Sequence, residues 1–357
     1  MDLNTRQGLS ARLVGSDPPS DLAVLKISAS DLPVLYLGDS DKVRVGDVVL
    51  AVGNPLNIGE TVTAGIISAK GRQTGLSNGS FEDFLQTDAP INRGNSGGAL
   101  VNTRGELIGI NSQIVSPSPE GGNIGIGFAI PSNMARTVVD ALIAKGKVQR
   151  GMMGIGVQSV NSQLAQTFGL KQARGIVITN VSPGSAAEKA GLKQGEVILQ
   201  VNGKEVSDTN AFRNQIAAMG PGAEVTLSVW RNNAEQQVRV RLGELTAGAA
   251  EQRNSGGGGG GGEAGGRLGI TVRTLTPDLA AQLGVRGGAQ GVVVTEIDPS
   301  GPAAEAGIRA GDVIQEVNRQ PVRTPADVRG ALQKNAQAPV LLINRGGQTV
   351  YIPVPLQ

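Results

Sequence analysis

Residues 91–100 read INRGNSGGAL. Gly94, Gly97 and Gly98 surround Ser96, and glycine admits positive φ and close backbone approach. Successive N–H groups in such a turn can point one way and form an anion-binding nest. A serine beside a nest has what a nucleophile needs, because the carbonyl it attacks becomes an oxyanion. The N–H groups of Gly94, Asn95 and Ser96 are the candidate donors, with those of Gly94 and Ser96 as the natural pair. The plainer alternative is a tight turn in which Ser96 caps a neighbouring amide, and GNSGG alone does not separate the two.

Outward from this turn the chain reads as β-structure. DLAVLKI, DVVLAVG, ETVTAGIISA, GALVNTRGELIGINSQIV and IGIGFAI are short β-rich runs separated by Gly, Pro, Asn and Asp. NTRGE at 102–106 is a hairpin turn, and the spacing suggests a barrel or sandwich over residues 1–131. The first helical pattern is PSNMARTVVDALIAKGKV, with Ser132 as its cap and Gly146 as its stop.

The second half carries a repeat. GIVITNVSPGSAAEKAGLKQGEVILQVNGKEV begins at Gly175 and GVVVTEIDPSGPAAEAGIRAGDVIQEVNRQPV at Gly291, an offset of 291 − 175 = 116. Each copy runs strand, small-residue helical turn, glycine turn, strand, longer helix and a last pair of strands. Thr324-Pro325 caps the long helix of the second copy, and Ser207 or Asp208 that of the first. Two copies are too few for a solenoid and read as duplicated α+β domains. Gly256–Gly262 cannot pack and reads as a flexible coil. The expected divisions are 1–148, 149–245, a glycine-rich linker at 246–266, and 267–357.

Composition narrows the function. The net charge is +2, from 32 basic and 30 acidic residues, and aromatics make up 2%. Neither a clustered basic face nor stacking platforms for nucleic acid are expected. Cysteine is absent, which removes thiol catalysis, thiolate zinc sites and disulfides. No apolar run is long enough for a transmembrane helix. MDLNTRQGLSARL lacks the pattern of a secretory signal peptide. No metal or organic cofactor is expected. Histidine is also absent, so the base that normally activates a serine is missing.

The strings LVGSDPPSDLAVLKI, GNPLNIGETVTAGIISA, QTDAPINRGNSGGALVNTRGELIGIN and GGNIGIGFAIPSNM, followed by the two repeats, resemble the HtrA/Deg family of serine endopeptidases. The layout is similar to its periplasmic branch. The resemblance implies a mainly β chain: a trypsin-like double β-barrel, here with an incomplete first barrel, followed by two PDZ domains. It implies Ser96 as nucleophile and Asp21 as the aspartate of the triad, with Asp17 read as a solvated turn residue. Only about 20 residues precede Asp21, so the strand carrying the family's histidine is expected to be missing from the front. A shortened sequence accounts for this better than an evolved pseudoenzyme.

The resemblance further implies that Ile91 and Ile114 line the primary specificity pocket, although both also suit an ordinary core. Arg72 matches a basic residue of a regulatory loop. PDZ domains hold peptide C-termini on an apolar-Gly-apolar loop. The matching loops are Met153-Gly154-Ile155, with Arg150 nearby, and Leu268-Gly269-Ile270, with Arg267 nearby. The activity implied is degradation of unfolded polypeptides in periplasmic protein quality control. The resemblance also implies the family's assembly into homotrimers or larger cages, with most trimer contacts expected in the missing front end. The alternative is a non-catalytic, chaperone-like binder of peptides.

Overall fold

The computed structural model describes residues 9–55, 58–74, 81–116, 122–206, 208–245, 263–265, 268–285, 289–334 and 338–355. They fall into two compact units, Met1–Arg150 with Arg213–Ala218, and Gly151–Phe212 with Met219–Gln357.

In the first unit, β1 (Ala11–Asp17) and β2 (Leu22–Ile27) form an antiparallel ribbon on their own. Leu13 and Leu25 face each other across it, and both are more than half exposed. Six further strands close a barrel in the order β3-β4-β5-β8-β7-β6. They are β3 (Val48–Gly53), β4 (Thr61–Arg72), β5 (Phe84–Thr87), β6 (Ala99–Asn102), β7 (Leu107–Ile114) and β8 (Gly127–Pro131). Val49, Ala51, Ile67, Leu85, Leu100 and Ile108 fill its interior. These are alternating or β-branched positions of the runs read as strands, as a half-buried pleated surface requires. The hairpin at 102–106 joins β6 to β7. There the Asn102 side chain accepts the N–H groups of Arg104 and Glu106, and Gly105 takes φ 76°.

Helix α1 (Ser132–Lys145) follows β8 and packs Ala135, Val138 and Leu142 against Leu22, Phe84, Phe128 and Ile130. Gly146 ends it at φ 70°, with its N–H on the Leu142 carbonyl. Ser132 does not cap it. Pro131 holds the cap position, and the buried Ser132 hydroxyl donates to the Gly38 carbonyl at 2.7 Å.

The second unit contains the two repeats, apart from Arg213–Ala218 of the first repeat, which fall in the first unit. The first has β9 (Gly151–Met152), β10 (Ile155–Ser159), α2 (Ser162–Thr167), β11 (Ile176–Val181), α3 (Ala186–Lys189), β12 (Val197–Val201) and β13 (Lys204–Glu205). It continues with α4 (Thr209–Ala218), β14 (Glu224–Arg231), β15 (Ala234–Arg241) and β16 (Gly243–Glu244). The second has β17 (Glu263–Gly265), β18 (Ile270–Thr274), α5 (Pro277–Gln282), β19 (Val292–Ile297), α6 (Pro302–Glu305), β20 (Val313–Val317) and β21 (Gln320–Pro321). It ends with α7 (Pro325–Lys334), β22 (Val340–Arg345) and β23 (Gln348–Pro353). The sheets run β10-β11-β12-β14-β15 and β17-β18-β19-β20-β22-β23.

The glycines that open the two repeats have a common physical reason. A Cβ on Gly175 would fall 2.5 Å from the Ile198 carbonyl oxygen, and one on Gly291 2.5 Å from that of Ile314. An arginine clamp is duplicated too. Arg231 bonds Glu196 and the Gly191 carbonyl, and Arg345 bonds Asp312 and the Gly307 carbonyl. Asp208 caps α4 by accepting the N–H groups of Asn210 and Ala211, while Ser207 lies outside the described residues.

The repeats also meet. Val160, Leu164 and Phe168 of the first share a buried cluster with Val340, Leu342 and Tyr351 of the second. The Phe168 and Tyr351 rings lie edge-on at 5.2 Å, and the Gln158 amide exchanges two hydrogen bonds with the Tyr351 backbone. The glycine run 256–262 lies outside the described residues. The last three residues before Gly266, expected to belong to the linker, form β17 instead.

Candidate active site

The GNSGG turn sits between β5 and β6 at one end of the barrel. Gly94 and Gly97 take φ 100° and 86°, values that a side chain would strain. The Gly97 N–H bonds the Asn111 carbonyl at 2.8 Å, and the Asn111 N–H returns to the Gly98 carbonyl at 2.9 Å. The turn is thereby fastened to β7. Among the described residues nothing occupies the N–H groups of Gly94 and Ser96, so both are available to an anion. The N–H of Asn95, expected as a third donor, is spent on the Asn92 carbonyl at 3.0 Å. Its buried side chain packs where Gly53 leaves room.

Gly98 is the tightest point. A Cβ there would land on the Val52 carbonyl oxygen, whereas one on Gly97 would meet nothing within 4 Å. Gly98→Ala is expected to cost about 3 kcal/mol through overpacking against backbone. Gly97→Ala should cost only about 1–2 kcal/mol of φ strain. Amide hydrogen exchange over residues 99–114 in each variant checks the order. Equal protection in the two would show that the turn yields at Gly98.

Ser96 Oγ donates to the Ser112 carbonyl at 2.6 Å. Ser112 Oγ in turn donates to Asp21 Oδ2 at 2.8 Å. Ser112 thus stands between the expected nucleophile and the expected aspartate, which lie 75 positions apart (96 − 21 = 75). Asp21 closes the short turn Pro18–Ser20 at φ 58°, with its N–H on the Pro18 carbonyl. It stands at the head of β2 and is solvent-exposed. Ser112 was not singled out from the sequence. Its signal is the pair Asn111-Ser112, two buried polar residues inside the apolar strand LIGINSQI. Buried polar groups require partners: Asn111 Nδ2 donates to the Val52 and Ala99 carbonyls, and Ser112 to Asp21.

The other expected residues are placed as follows. Ile91 is fully buried in the barrel core, and Ile114 is half-buried against the same cluster. Arg72 ends β4, exposed, with Nε on the Gln86 amide oxygen at 3.0 Å. Asp17 is no solvated turn residue. It is buried, and Arg150 grips it with both terminal nitrogens, at 2.8 and 2.5 Å, while Ser20 Oγ donates to it as well. Burial works against the Asp17 charge, but the bonds from Arg150 and Ser20 outweigh it and hold its pKa below the ordinary carboxylate value. Arg150 is consequently not free to assist a peptide carboxylate, the role expected for it. Its guanidinium lies over the Phe81 ring at 4.4 Å, and that of Arg213 lies over the same ring at 4.5 Å.

The two apolar-Gly-apolar loops have one geometry. Gly154 and Gly269 take φ 78° and 69°. The Met153 and Leu268 carbonyls accept from Ala187 and Ala303, and those of Gly154 and Gly269 accept from Ser182 and Asp298. Met153 and Leu268 are buried anchors, and Ile155 and Ile270 open the adjoining strands. Arg267 lies outside the described residues.

Residues 2–110 match the trypsin-like peptidase domain, and residues 151–242 and 293–345 each match the PDZ domain. A probable periplasmic serine endoprotease DegP-like from Chlamydia trachomatis serovar D is 42% identical over 348 residues. The alignment covers 98% of this chain and 67% of that protein. The protein of the same description from Brucella suis biovar 1 is 42% identical, over 98% of this chain and 66% of its own length. The chain therefore spans about two thirds of the length of the curated relatives it matches. Among solved structures, the HtrA-type protease AlgW with tripeptide is similar at TM-score 0.61 and 46% identity, covering 69% of this chain and 80% of that one. AlgW with decapeptide gives TM-score 0.58 and 46% identity, covering 69% and 74%. On this identity, sustained over almost its whole length, the chain belongs to the HtrA/DegP-like serine endoproteases, mainly β proteins that join a trypsin-like domain to two PDZ domains.

Proposed function

We propose that the chain is the scaffold of a periplasmic quality-control endopeptidase acting on unfolded polypeptides, with Ser96 as nucleophile and Asp21 as the orienting carboxylate. The observation that carries it is the line from Ser96 through Ser112 to Asp21. The N–H groups of Gly94 and Ser96 form the oxyanion site, and Ile114 with Ile91 behind it lines the pocket for an aliphatic residue. Arg72 acts in regulation. The relatives' names support the periplasm and proteolysis. In this chain, which has no histidine, Ser96 lacks a base and the scaffold is inactive in turnover.

That same composition favours a second reading, a peptide-binding protein that works through its PDZ domains. Both readings require the loops at Met153-Gly154-Ile155 and Leu268-Gly269-Ile270 to take peptide C-termini, and the peptide complexes of AlgW support this. A decapeptide ending in Val with a free carboxylate should bind the full chain at least about tenfold more tightly than its C-terminal amide. The loss is that of charge-assisted bonds to the loop N–H groups. Isothermal titration with both forms decides it, and equal affinity would remove the carboxylate from the assignment.

A further inference from the structure

The two PDZ domains differ at the strand edge where a peptide must add. In the first, β10 pairs with β11 on one side and heads its sheet. In the second, β18 pairs with β19 on one side and with β17 on the other. The register is antiparallel, with Glu263 opposite Val272, Ala264 opposite Thr271 and Gly265 opposite Ile270. A strand has only two edges, so β17 holds the one that a peptide would use.

Its direction is also that of a ligand. A bound peptide runs antiparallel to the receiving strand with its C-terminus at the apolar-Gly-apolar loop. Gly265, the last residue of β17, stands opposite Ile270, the first residue after Gly269. Helix α7 contacts both β17 and β18, so β17 lies against two walls of one groove. The first domain has no equivalent. Its loop glycine stands 269 − 154 = 115 positions earlier, which makes 148–150 the counterparts of 263–265. Those residues form no strand, and Arg150 is bonded to Asp17.

We propose that Glu263-Ala264-Gly265 is a tethered pseudo-ligand that closes the second PDZ groove, leaving the first PDZ domain as the open peptide receptor. This rests on the peptide-binding reading above. β17 is displaceable because it brings no terminal carboxylate: the chain runs on through Gly266 and Arg267. A free C-terminus gains the loop donors that β17 cannot use, while β17 has the advantage of a short tether.

The full chain has no cysteine, so Ala264→Cys with Thr271→Cys can be cross-linked without background. Directly opposed residues of an antiparallel pair lie within disulfide range. Mild oxidation should cross-link this pair much faster than Gly258→Cys with Thr271→Cys. Equal rates would overturn the pairing. The second measurement is titration with a fluorescein-labelled decapeptide ending in Leu-Val-Val. Alternate residues of an antiparallel strand aim their N–H groups at the partner, so Glu263→Pro with Ala264→Pro removes one inward donor whichever parity holds. The original chain should bind one peptide. The proline variant should bind two, or gain at least about tenfold at the second site. One unchanged site in both would overturn the competition. No binding by either chain would overturn the peptide-binding reading and the competition with it, and the cross-linking rate would still report the strand pairing alone.

Discussion

Arg150→Met is expected to destabilise the first unit by about 3–5 kcal/mol, because it leaves the Asp17 carboxylate buried without its partner. The guanidinium supplies two charge-assisted bonds to Asp17 and covers the Phe81 ring. Removing both partners should cost far less. Asp17→Asn with Arg150→Met is expected to recover most of the loss, since no charge is then stranded. Acid separates the variants further. The Asp17 pKa is held below its ordinary value, so its contribution is complete above the unfolded carboxylate pKa of about 4. It is lost as pH falls through the lower folded value. In Arg150→Met the part of that contribution due to the arginine is already absent, so the gap from the original chain should narrow in acid. Trp230, the one tryptophan, lies in the second unit. Amide hydrogen exchange over residues 11–27 and 127–145 is therefore the measurement. A single variant as stable as the original, or a double variant no better than the single, would show the pair to be dispensable.

This pair also marks a limit of the sequence. Asp17 and Arg150 stand 133 positions apart. Asp17 precedes two prolines, and Arg150 precedes a PDZ loop, so each suggests a different local role. Elements that rest on short-range rules were legible: the hairpin at 102–106, the stop at Gly146, a cap at Ser207 or Asp208 and the two copies of the PDZ grammar. Residues placed by closure of the sheets were not. Ser112 reaches Asp21 from 91 positions away, and nothing local announces this. The same holds for β17. Residues 263–265 sit among glycines and carry no strand propensity; what recruits them is the vacant edge of β18 just downstream. The exposed pair Leu13 and Leu25 illustrates the converse. The alternation of β1 and β2 was readable, but what covers that face is not a property of those residues.

The second large effect concerns chemistry at Ser96. The chain is expected to show no casein turnover, because the group that Ser96 Oγ meets is a poor proton acceptor. The hydroxyl proton points at the Ser112 carbonyl oxygen, which is not a base at neutral pH. Asp21 lies one residue further, behind the Ser112 hydroxyl. A carboxylate is in any case a poor base for an alcohol. The N–H groups of Gly94 and Ser96, unoccupied among the described residues, should leave a residue of catalysis, about 10³-fold over water, as triad-deleted proteases retain. Slow labelling by a fluorophosphonate, abolished in Ser96→Ala, should reveal it. Added imidazole supplies the missing kind of base, and a positioned one is worth about 10²–10⁴ in rate. Free imidazole should accelerate labelling by at least about tenfold, with saturation, if Asp21 orients it across the Ser112 bridge. Asp21→Asn should remove the saturable part and leave Ser96→Ala as the baseline. Acceleration identical in Asp21→Asn would assign the aspartate no part in the site. Robust, Ser96-dependent casein cleavage without imidazole would mean that some other group takes the proton, and would overturn the assignment of the missing base.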